Sequence, residues 1–243
     1  MSRQPPFQTG HQTAYAGTEE LWTNEQCLPR YNHDVVHLLS LDGRAQAPTL
    51  EFGAGIGTLA SRWQDTVGQA PDCVELDPDL RTILSGRGFR AFADVAEAGH
   101  VYRHVYTSNV LEHIEDDMAA LGQLRDVMLP GGTLAIYVPA CMAIYSVLDR
   151  KIGHYRRYGR EELRQKLLDA GFFIDRIEYR DCAGVLAWWL SSRLVRTETA
   201  AISPGMLRCY DRYCYPVSRL LDRLGMHRFF GKNLFALARK PEA

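Results

Sequence analysis

The sequence of 243 residues predicts an α/β fold built on a doubly wound, mostly parallel sheet. Short apolar runs alternate with amphipathic stretches from Thr49 onward, and a glycine-rich turn joins the first run to the first amphipathic stretch. An acidic residue, Glu75, lies near the end of the second run. With 28 basic and 29 acidic residues and 46% hydrophobic residues, the composition excludes a disordered chain and argues against a basic nucleic-acid module.

Seven strands and four intervening helices follow from this pattern. The strands are predicted at 49–52, 73–76, 89–93, 104–108, 133–138, 172–179 and 234–239. The helices are predicted at 57–66, 79–86, 116–128 and 160–170. Gly171 would cap the last helix, and Leu129-Pro-Gly-Gly132 would stop the third one and turn into the fifth strand.

Two segments lie outside this pattern. Residues 1–48 are predicted to be an N-terminal helical extension, with helix over 18–39, so that the main domain spans 49–243. About fifty residues, 181–231, separate the last two strands, which is far longer than a usual connection. These residues are predicted to form a helical insertion, with one helix over 183–195. Apolar and aromatic residues recur at helical spacing over 206–224, and Pro216 is predicted to break that second helix.

The glycine-rich turn predicts a ligand that lies against the main chain. Gly53-Ala-Gly-Ile-Gly57 is a GxGxG sequence, but the third glycine of a dinucleotide fingerprint would stand at Thr58, and no GxxxxGK[ST] is present. Glu75 follows Gly53 by 22 residues, close to the separation at which a carboxylate accepts ribose hydroxyls. Asp77 is the competing ribose ligand. The predicted ligand is an adenosine compound that needs no diphosphate contact.

Five ordered motifs resemble those of the class I S-adenosylmethionine (SAM) methyltransferases, over most of the chain. They are Glu51-Phe-Gly-Ala-Gly-Ile-Gly57, Val74-Glu-Leu-Asp-Pro78, Ala93-Asp-Val95, Ser108-Asn-Val-Leu-Glu-His113 and Leu129-Pro-Gly-Gly132. The resemblance implies a Rossmann-like seven-stranded sheet with helices on both faces, and a helical insertion before the last strand. It implies SAM as cofactor and S-adenosylhomocysteine (SAH) as product.

The same resemblance implies a set of cofactor contacts. They are Tyr31, Glu51, Gly53, Ala54, Gly55, Glu75, Leu76, Asp94, Val95 and Asn109. Asp94 would take the adenine amino group in this family, although an aspartate at this place could equally cap a helix.

Methyl transfer from a sulfonium needs alignment and the exclusion of water, and it needs a base only if the acceptor loses a proton. His113 is the first candidate base, but its place in Leu-Glu-His at a helix start favours a structural hydrogen bond. The fourth strand ends in Ser108-Asn-Val110 rather than Asn-Pro-Pro-Tyr, which disfavours the amino-group acceptors associated with that motif. Oxygen is therefore favoured over nitrogen as the methylated atom.

The segment Gly153-His-Tyr-Arg-Arg-Tyr158 follows the fifth strand, where the sheet opens to the cofactor and acceptor. It resembles the Gly-His-x-Arg-Arg-Tyr of many family members, with Gly159 in place of their Ser or Thr. His154 is the second candidate base, with an unperturbed pKa near ~6.5. The predicted acceptor contacts are Arg156, Arg157 and Tyr158. The two arginines would form bidentate hydrogen bonds to a phosphate or carboxylate. The alternative is a solvated arginine run that holds the helix start.

Charge is divided along the chain. Residues 1–150 contain 10 basic and 19 acidic residues, and residues 151–243 contain 18 and 10. The basic half and the aromatic residues of the insertion suggest an acceptor with an anionic and an apolar part, or else a dimer interface. We therefore predict a SAM-dependent methyltransferase for a small-molecule, glycan or lipid-like acceptor. The alternatives are an RNA methyltransferase, a SAM-binding protein without activity, and a SAM-cyclising enzyme.

Location and partners are predicted from what the sequence lacks. Residues 1–10 carry no apolar signal, and no window approaches the roughly 18–20 apolar residues of a membrane span. The six cysteines form no CxxC pair, and Cys and His do not cluster at zinc-ligand spacing, so no metal is expected. We expect a cytoplasmic monomer or homodimer that binds no DNA and is able to touch a membrane peripherally.

Overall fold

The computed structural model describes residues 18–99, 101–194 and 202–242. A mixed seven-stranded sheet runs through them in the order β3-β2-β1-β4-β5-β7-β6. The strands are β1 (Thr49–Phe52), β2 (Asp72–Val74), β3 (Ala91–Phe92), β4 (Tyr102–Ser108), β5 (Met128–Pro139), β6 (Phe173–Arg180) and β7 (Asn233–Arg239). Strands β1 to β5 pair in parallel, and β7 runs antiparallel to both β5 and β6. The predicted seven-stranded α/β fold is confirmed.

Ten α-helices lie in the described residues. They are α1 (Thr18–Cys27), α2 (Pro29–Leu39), α3 (Thr58–Val67), α4 (Pro78–Gly86), α5 (Asp117–Val127), α6 (Val147–Lys151), α7 (Arg160–Asp169), α8 (Cys182–Leu194), α9 (Pro204–Cys209) and α10 (Tyr215–Arg223). Helices α8 to α10 form the expected helical insertion before β7. The first 17 residues of the predicted extension, and Val195 of the helix predicted at 183–195, lie outside the described residues. The domain division at residue 48 stays a prediction.

Three of the differences from the sequence predictions have a local physical reason. The helix expected over 18–39 is two helices, because Pro29 has no N–H for an interior helical hydrogen bond and opens α2 instead. Strand β5 begins at Met128 and therefore includes Leu129-Pro-Gly-Gly132, which was predicted to be a turn. This first part of the strand is irregular, and Gly131 in it has a φ of 72°. Pro216 does not break the last helix, because it lies in the first turn of α10, after a π-helical turn at Tyr210–Cys214.

The core lies on both faces of the sheet, because neighbouring side chains of a strand point to opposite faces. In β5, Leu134 and Ile136 belong to one buried cluster, which includes side chains of α5 and α7. Ala135 and Tyr137 belong to the other, which includes Trp63 of α3 and side chains of α2.

The strand order reverses between β1 and β4, which both lie centrally in the sheet and pair in parallel. In doubly wound sheets a crevice opens at such a point, outside the carboxyl ends of the strands. Among the functional residues predicted from the sequence, Gly53, Glu75 and Asn109 follow the carboxyl ends of β1, β2 and β4. Of the described helices, none is long and apolar enough to span a bilayer.

Candidate functional site

A cleft of about 2880 Å³ opens at the carboxyl ends of β1 and β4. Its walls are the glycine loop after β1, the end of β2, the segment after β4, helix α1, and helices α8 and α9 of the insertion. Eleven of its lining residues were predicted as site residues. They are Tyr31, Glu51, Gly53, Ala54, Gly55, Glu75, Leu76, Asn109, His113, His154 and Arg157.

Gly53 lets the loop pass close to the segment after β4. Its φ is 77°, in the left-handed region, and a Cβ there would lie 2.3 Å from Cγ2 of Val110. Any side chain would therefore collide with Val110 and strain the backbone. The glycine keeps the main chain bare where a ligand would lie against it.

Glu75 extends from the end of β2 into the cleft. Its Oε2 accepts the N–H of Gly55 at 2.8 Å, and its Oε1 accepts the N–H of Asp77 at 3.1 Å. Burial raises the pKa of this carboxyl. The competing Asp77 has a structural task, since its carboxylate caps α4 by accepting the N–H of Asp79 at 2.8 Å. Glu75 thus links the glycine loop to the β2 end and faces the cleft.

Glu51, at the centre of β1, lies 3% exposed at the floor of the cleft. The hydroxyl of Tyr106 donates to its Oε2 at 2.9 Å, and burial raises the pKa of Glu51 to about 8. Asn109 follows β4 with an unusual positive φ of 52°, held because its N–H donates to the carbonyl of Tyr137 at 2.8 Å. Tyr31 of α2 completes this end of the cleft, with its ring 5.3 Å from Nζ of Lys232.

The predicted adenine contacts are placed differently. Within the described residues, the cleft lining includes Ala93 but neither Asp94 nor Val95. The carboxylate of Asp94 accepts the N–H of Glu97 at 2.9 Å within a turn, where the described residues form no helix, and Val95 is buried in the core. Their contact with adenine stays a prediction.

The side chains of the two predicted bases, His113 and His154, lie next to the buried carboxyl of Glu112. The rings of His113 and His154 contact edge to face, with centroids 4.7 Å apart. Nε2 of His154 lies 3.7 Å from Oε1 of Glu112, and Nδ1 lies 3.0 Å from Oδ1 of Asp149. Burial raises the pKa of Glu112 to about 8 and lowers the pKa of His113 to about 4. For Asp149, the hydrogen bond with His154 and the charge of Arg157 outweigh burial and lower the pKa.

Two of the predicted acceptor contacts, Tyr158 and Arg156, have partners inside the protein, and their contact with an acceptor stays a prediction. Tyr158 is fully buried, and its hydroxyl donates to Asp117 at 2.8 Å. Arg156 pairs with the same Asp117 at 2.9 Å and donates to the carbonyl of Glu115, and it is absent from the described cleft lining. These two side chains hold the start of α5 beside that of α7, which is the structural alternative weighed for the arginine run.

Arg157 does line the cleft but is 2% exposed. Its Nε donates to Asp149 at 2.8 Å, its Nη1 donates to the carbonyl of Ala140 at 3.2 Å, and its guanidinium lies over the ring of Trp188 at 4.7 Å. Two of its five N–H donors are thus used inside the protein. Its acceptor contact stays a prediction.

Sequence reasoning missed three residues of the site, Glu112, Asp149 and Lys232. Glu112 stands directly before the singled-out His113, and Asp149 opens the segment that ends in the arginine run, so both were close to a detectable signal. Lys232 had none. Its ammonium pairs with Asp181 at 3.1 Å and lies 4.9 Å from the centre of the Tyr210 ring, in the cleft wall.

These groups fit SAM. The bare backbone at Gly53 suits close contact, and the Glu75 carboxylate is available at the distance along the chain where ribose hydroxyls bind. The half-exposed Leu76 offers an apolar surface for a base, while Glu51 is a buried acidic group beside the space that a cationic amino acid part would occupy.

Comparison with known proteins agrees with this geometry. The model of the family described as methyltransferase domain matches residues 23–176. A phosphoethanolamine N-methyltransferase 2 of Haemonchus contortus, solved with phosphomonomethylethanolamine and SAH, superposes with a TM-score of 0.62 at 15% identity, over 94% of this chain and 58% of that one.

Two further solved structures have the same fold. A SAM-dependent methyltransferase from Archaeoglobus fulgidus gives a TM-score of 0.59 at 17% identity, over 91% of this chain and 99% of that one. The 1,6-didemethyltoxoflavin-N1-methyltransferase of Burkholderia thailandensis, with SAH bound, gives 0.57 at 16% identity, over 94% and 84%. No curated protein matches the sequence significantly. From its family match, fold and cleft, the chain belongs to the methyltransferase domain family and is a SAM-dependent methyltransferase.

Proposed function

We propose that this enzyme methylates a hydroxyl group of an anionic, lipid-like acceptor, such as a lipid-linked glycan, while it rests on a membrane surface. The observation that carries the proposal is the orientation of α10. Val217, Leu220 and Leu224 follow one side of this helix and are 52%, 57% and 73% exposed, while Ser218 and Asp222 on the other side are buried. An amphipathic helix of a globular protein normally turns its apolar side inward.

The polar side of α10 faces inward for a structural reason. The carboxylate of Asp222 accepts the N–H groups of Asp181 at 2.8 Å and Cys182 at 3.3 Å, at the start of α8, and the hydroxyl of Ser218 accepts the N–H of Ala183 at 3.1 Å. The first N–H groups of a helix have no partner within it, so α10 satisfies those of α8. Its leucines are consequently left on the surface.

Exposed apolar side chains occur in other parts of the insertion besides α10. Further half-exposed apolar or aromatic side chains of the insertion are Leu186, Trp189, Leu190, Met206, Tyr213, Phe229 and Phe230. Leu190 and Met206 also line the cleft. Exposed apolar surface of this extent marks an interaction site, and here it leads into the place of reaction.

The charges on the surface of the insertion favour an anionic partner. In the described part of the insertion, the acidic residues Asp181, Asp211 and Asp222 are all buried. The arginines are exposed, namely Arg208, Arg212, Arg219, Arg223 and Arg228. Apolar and aromatic side chains among basic ones are typical of surfaces that lie in an anionic membrane interface, where each basic residue contributes about 1 kcal/mol.

The acidic and the basic residues that line the cleft come from different parts of the chain. Its acidic lining residues all precede residue 117, and they surround the cofactor half. Its basic lining residues are Arg150, Lys151, Arg157 and Lys232. An acceptor with a phosphate or carboxylate and an apolar chain would meet the basic end, next to Trp188 and Tyr210.

The chain's own residues would mainly position the reactants. SAM supplies an electrophilic methyl group on a sulfonium. Gly53 and Glu75 would orient it, and α1 would cover it from water. His113 and His154 line the cleft and would contact the acceptor hydroxyl. Its oxygen would form the bond to the methyl carbon, the electron pair of the broken carbon–sulfur bond would stay on sulfur, and the hydroxyl proton would pass to solvent.

Two assays test the proposal. The first measures sedimentation of the protein with phosphatidylcholine vesicles that contain or lack phosphatidylglycerol. We expect binding only with the anionic lipid, reduced at least tenfold by Leu220→Glu or Leu224→Glu. Phe173→Glu is the matched control, because Phe173 is 61% exposed on β6, outside the insertion.

The second assay follows deuterated methyl transfer from SAM by mass spectrometry. The probes are a polyprenyl-phosphate-linked hexose, the same hexose 1-phosphate without lipid, and RNA. We expect methyl ether formation on the lipid-linked sugar. Equal transfer to the soluble sugar phosphate, transfer to RNA, or a dimer in solution that Leu220→Glu dissociates would overturn the proposal.

A further inference from the structure

Glu112 is a buried carboxyl that the protein leaves without a hydrogen-bond partner. It is 0% exposed, and none of the other described residues donates to either of its oxygens. Buried polar groups are almost always hydrogen-bonded, because leaving one unsatisfied costs about 1–3 kcal/mol and more for a charged group. An exception of this kind indicates a partner that the polypeptide does not supply.

The space in front of this carboxyl is bounded by the two histidines. One ligand atom each from Glu112, His113 and His154 lies within 4.8 Å of the other two. Ligand atoms around a first-row metal ion, with bonds of about 2.0–2.2 Å, are separated by about 3–4 Å. Small side-chain rotations would therefore bring the three groups to coordinating distance.

Both histidines are already oriented by groups behind them. Nδ1 of His154 is bound to the Asp149 carboxylate at 3.0 Å, which leaves Nε2 directed toward Glu112. His113 is hydrogen-bonded to the backbone of Gly153. Metal-binding histidines typically have one ring nitrogen held in this way by a carboxylate or a carbonyl.

The electrostatics of the cluster also favour a cation. Two buried carboxyl groups, those of Glu112 and Asp149, lie near one guanidinium, that of Arg157, which is bonded to Asp149 and not to Glu112. Buried charges are stable only when paired or coordinated to a metal. The carboxyl of Glu112 is thus not bonded to a cationic side chain among the described residues, and Nε2 of His154 lies 3.7 Å from its Oε1.

We propose that Glu112, His113 and His154 bind one zinc ion, with a coordination position open to the cleft. Two histidines and one glutamate with an open position are the ligand set of catalytic zinc sites. The residue types also suit other divalent transition metals, which the test compares. The sequence did not suggest the site, because Glu112 and His113 follow β4 whereas His154 follows α6.

The role of the ion rests on the proposed function, although its binding does not. An acceptor hydroxyl at the open position would lose its proton more easily, as water does on zinc. Its oxygen would form the bond to the methyl carbon, the electron pair of the broken carbon–sulfur bond would stay on sulfur, and the hydroxyl proton would pass to solvent.

The binding test uses the full chain after chelator treatment, in a Cys209→Ser/Cys214→Ser background that removes the two exposed thiols. Calorimetry with zinc chloride is expected to show one ion per chain, with affinity reduced at least tenfold by Glu112→Gln and by His154→Gln. His33→Gln is the matched control, since His33 is exposed on α2. Manganese chloride is titrated in parallel. Circular dichroism checks that each variant is folded.

The following results would support or overturn the zinc site and its role in methyl transfer. Anomalous scattering at the zinc edge should place the ion between the three side chains. Substoichiometric binding, tighter binding of manganese than of zinc, or equal zinc binding by Glu112→Gln, His154→Gln and the parent, overturns the site. If zinc binds but the chelated enzyme still transfers methyl at the full rate, the ion's role in the reaction is overturned. If methyl transfer proceeds and no zinc binds, the proposed function survives and the histidines act without metal.

Discussion

The side chains of Glu112 and His154 approach to 3.7 Å between Oε1 and Nε2, although they come from separate parts of the chain. Glu112 lies in the short 3₁₀ turn after β4, and His154 follows α6. The backbone joins the same two segments, since the N–H of Tyr155 donates to the carbonyl of Glu112 at 2.8 Å. The segment with the arginine run is thereby held against the carboxyl end of β4, and His154 reaches the place where methyl transfer would occur.

Replacement of Glu75 should weaken cofactor binding. We expect Glu75→Ala to reduce SAH affinity at least tenfold, because the carboxylate would lose its hydrogen bonds to ribose and to the glycine loop. Asp77→Ala is the control. It should lower the free energy of unfolding by about 1 kcal/mol through loss of the α4 cap and leave SAH affinity nearly unchanged. Calorimetry with SAH measures both, and the reverse pattern would transfer the ribose role to Asp77.

Glu51 should make stability fall as pH rises. Its pKa is about 8 in the folded protein against an ordinary 4.5, so between these values the folded state holds a proton that the unfolded chain releases. The stabilisation is complete below 4.5 and lost by about 8. Relative to Glu51→Gln, which does not titrate, the free energy of unfolding should fall over this window, by up to roughly 5 kcal/mol. Urea unfolding over the pH series checks this, and parallel curves would contradict it.

Arg157 should stabilise the protein more than it binds the acceptor. Arg157→Ala leaves the buried Asp149 without its guanidinium, and breaking a buried pair costs about 3–5 kcal/mol. Arg156→Ala is the matched control and should cost less, because Arg156 is 22% exposed and Lys166 also pairs with its partner Asp117. Urea unfolding gives both values. A stable Arg157→Lys enzyme with an increased KM for the acceptor would instead support the acceptor contact.

Helix α1 should slow cofactor release. Leu21 and Asn24 of this helix line the cleft, and Glu25 forms two hydrogen bonds with Arg87, at 2.8 and 2.9 Å. Glu25→Ala removes a contact of about 1 kcal/mol, so SAH dissociation should accelerate about fivefold. Stopped-flow fluorescence measures the rate. In a double-mutant cycle, Arg87→Ala should add little to Glu25→Ala, and full additivity would show that the pair does not hold α1.

The fold, SAM as the cofactor and the glycine turn could be predicted from the sequence, because their signals are local. The spacing of apolar residues follows the period of strand and helix, and the turn after β1 demands glycine at Gly53, where a Cβ has no room. Glu75 lies at a set distance along the chain from that turn. Such features depend on neighbouring residues and not on how distant segments meet.

The acceptor half was decided by tertiary structure. The sequence predicted Arg156 and Tyr158 as acceptor contacts, and the structure pairs both of them with Asp117 of α5. Glu112, His113 and His154 meet because the chain returns to the carboxyl end of β4 after passing through β5. The pattern of α10 predicts an amphipathic helix, yet only packing against α8 determines that Asp222 points inward and Leu224 outward. A helical period is the same whichever side faces solvent, so the direction of that side is a property of the folded molecule.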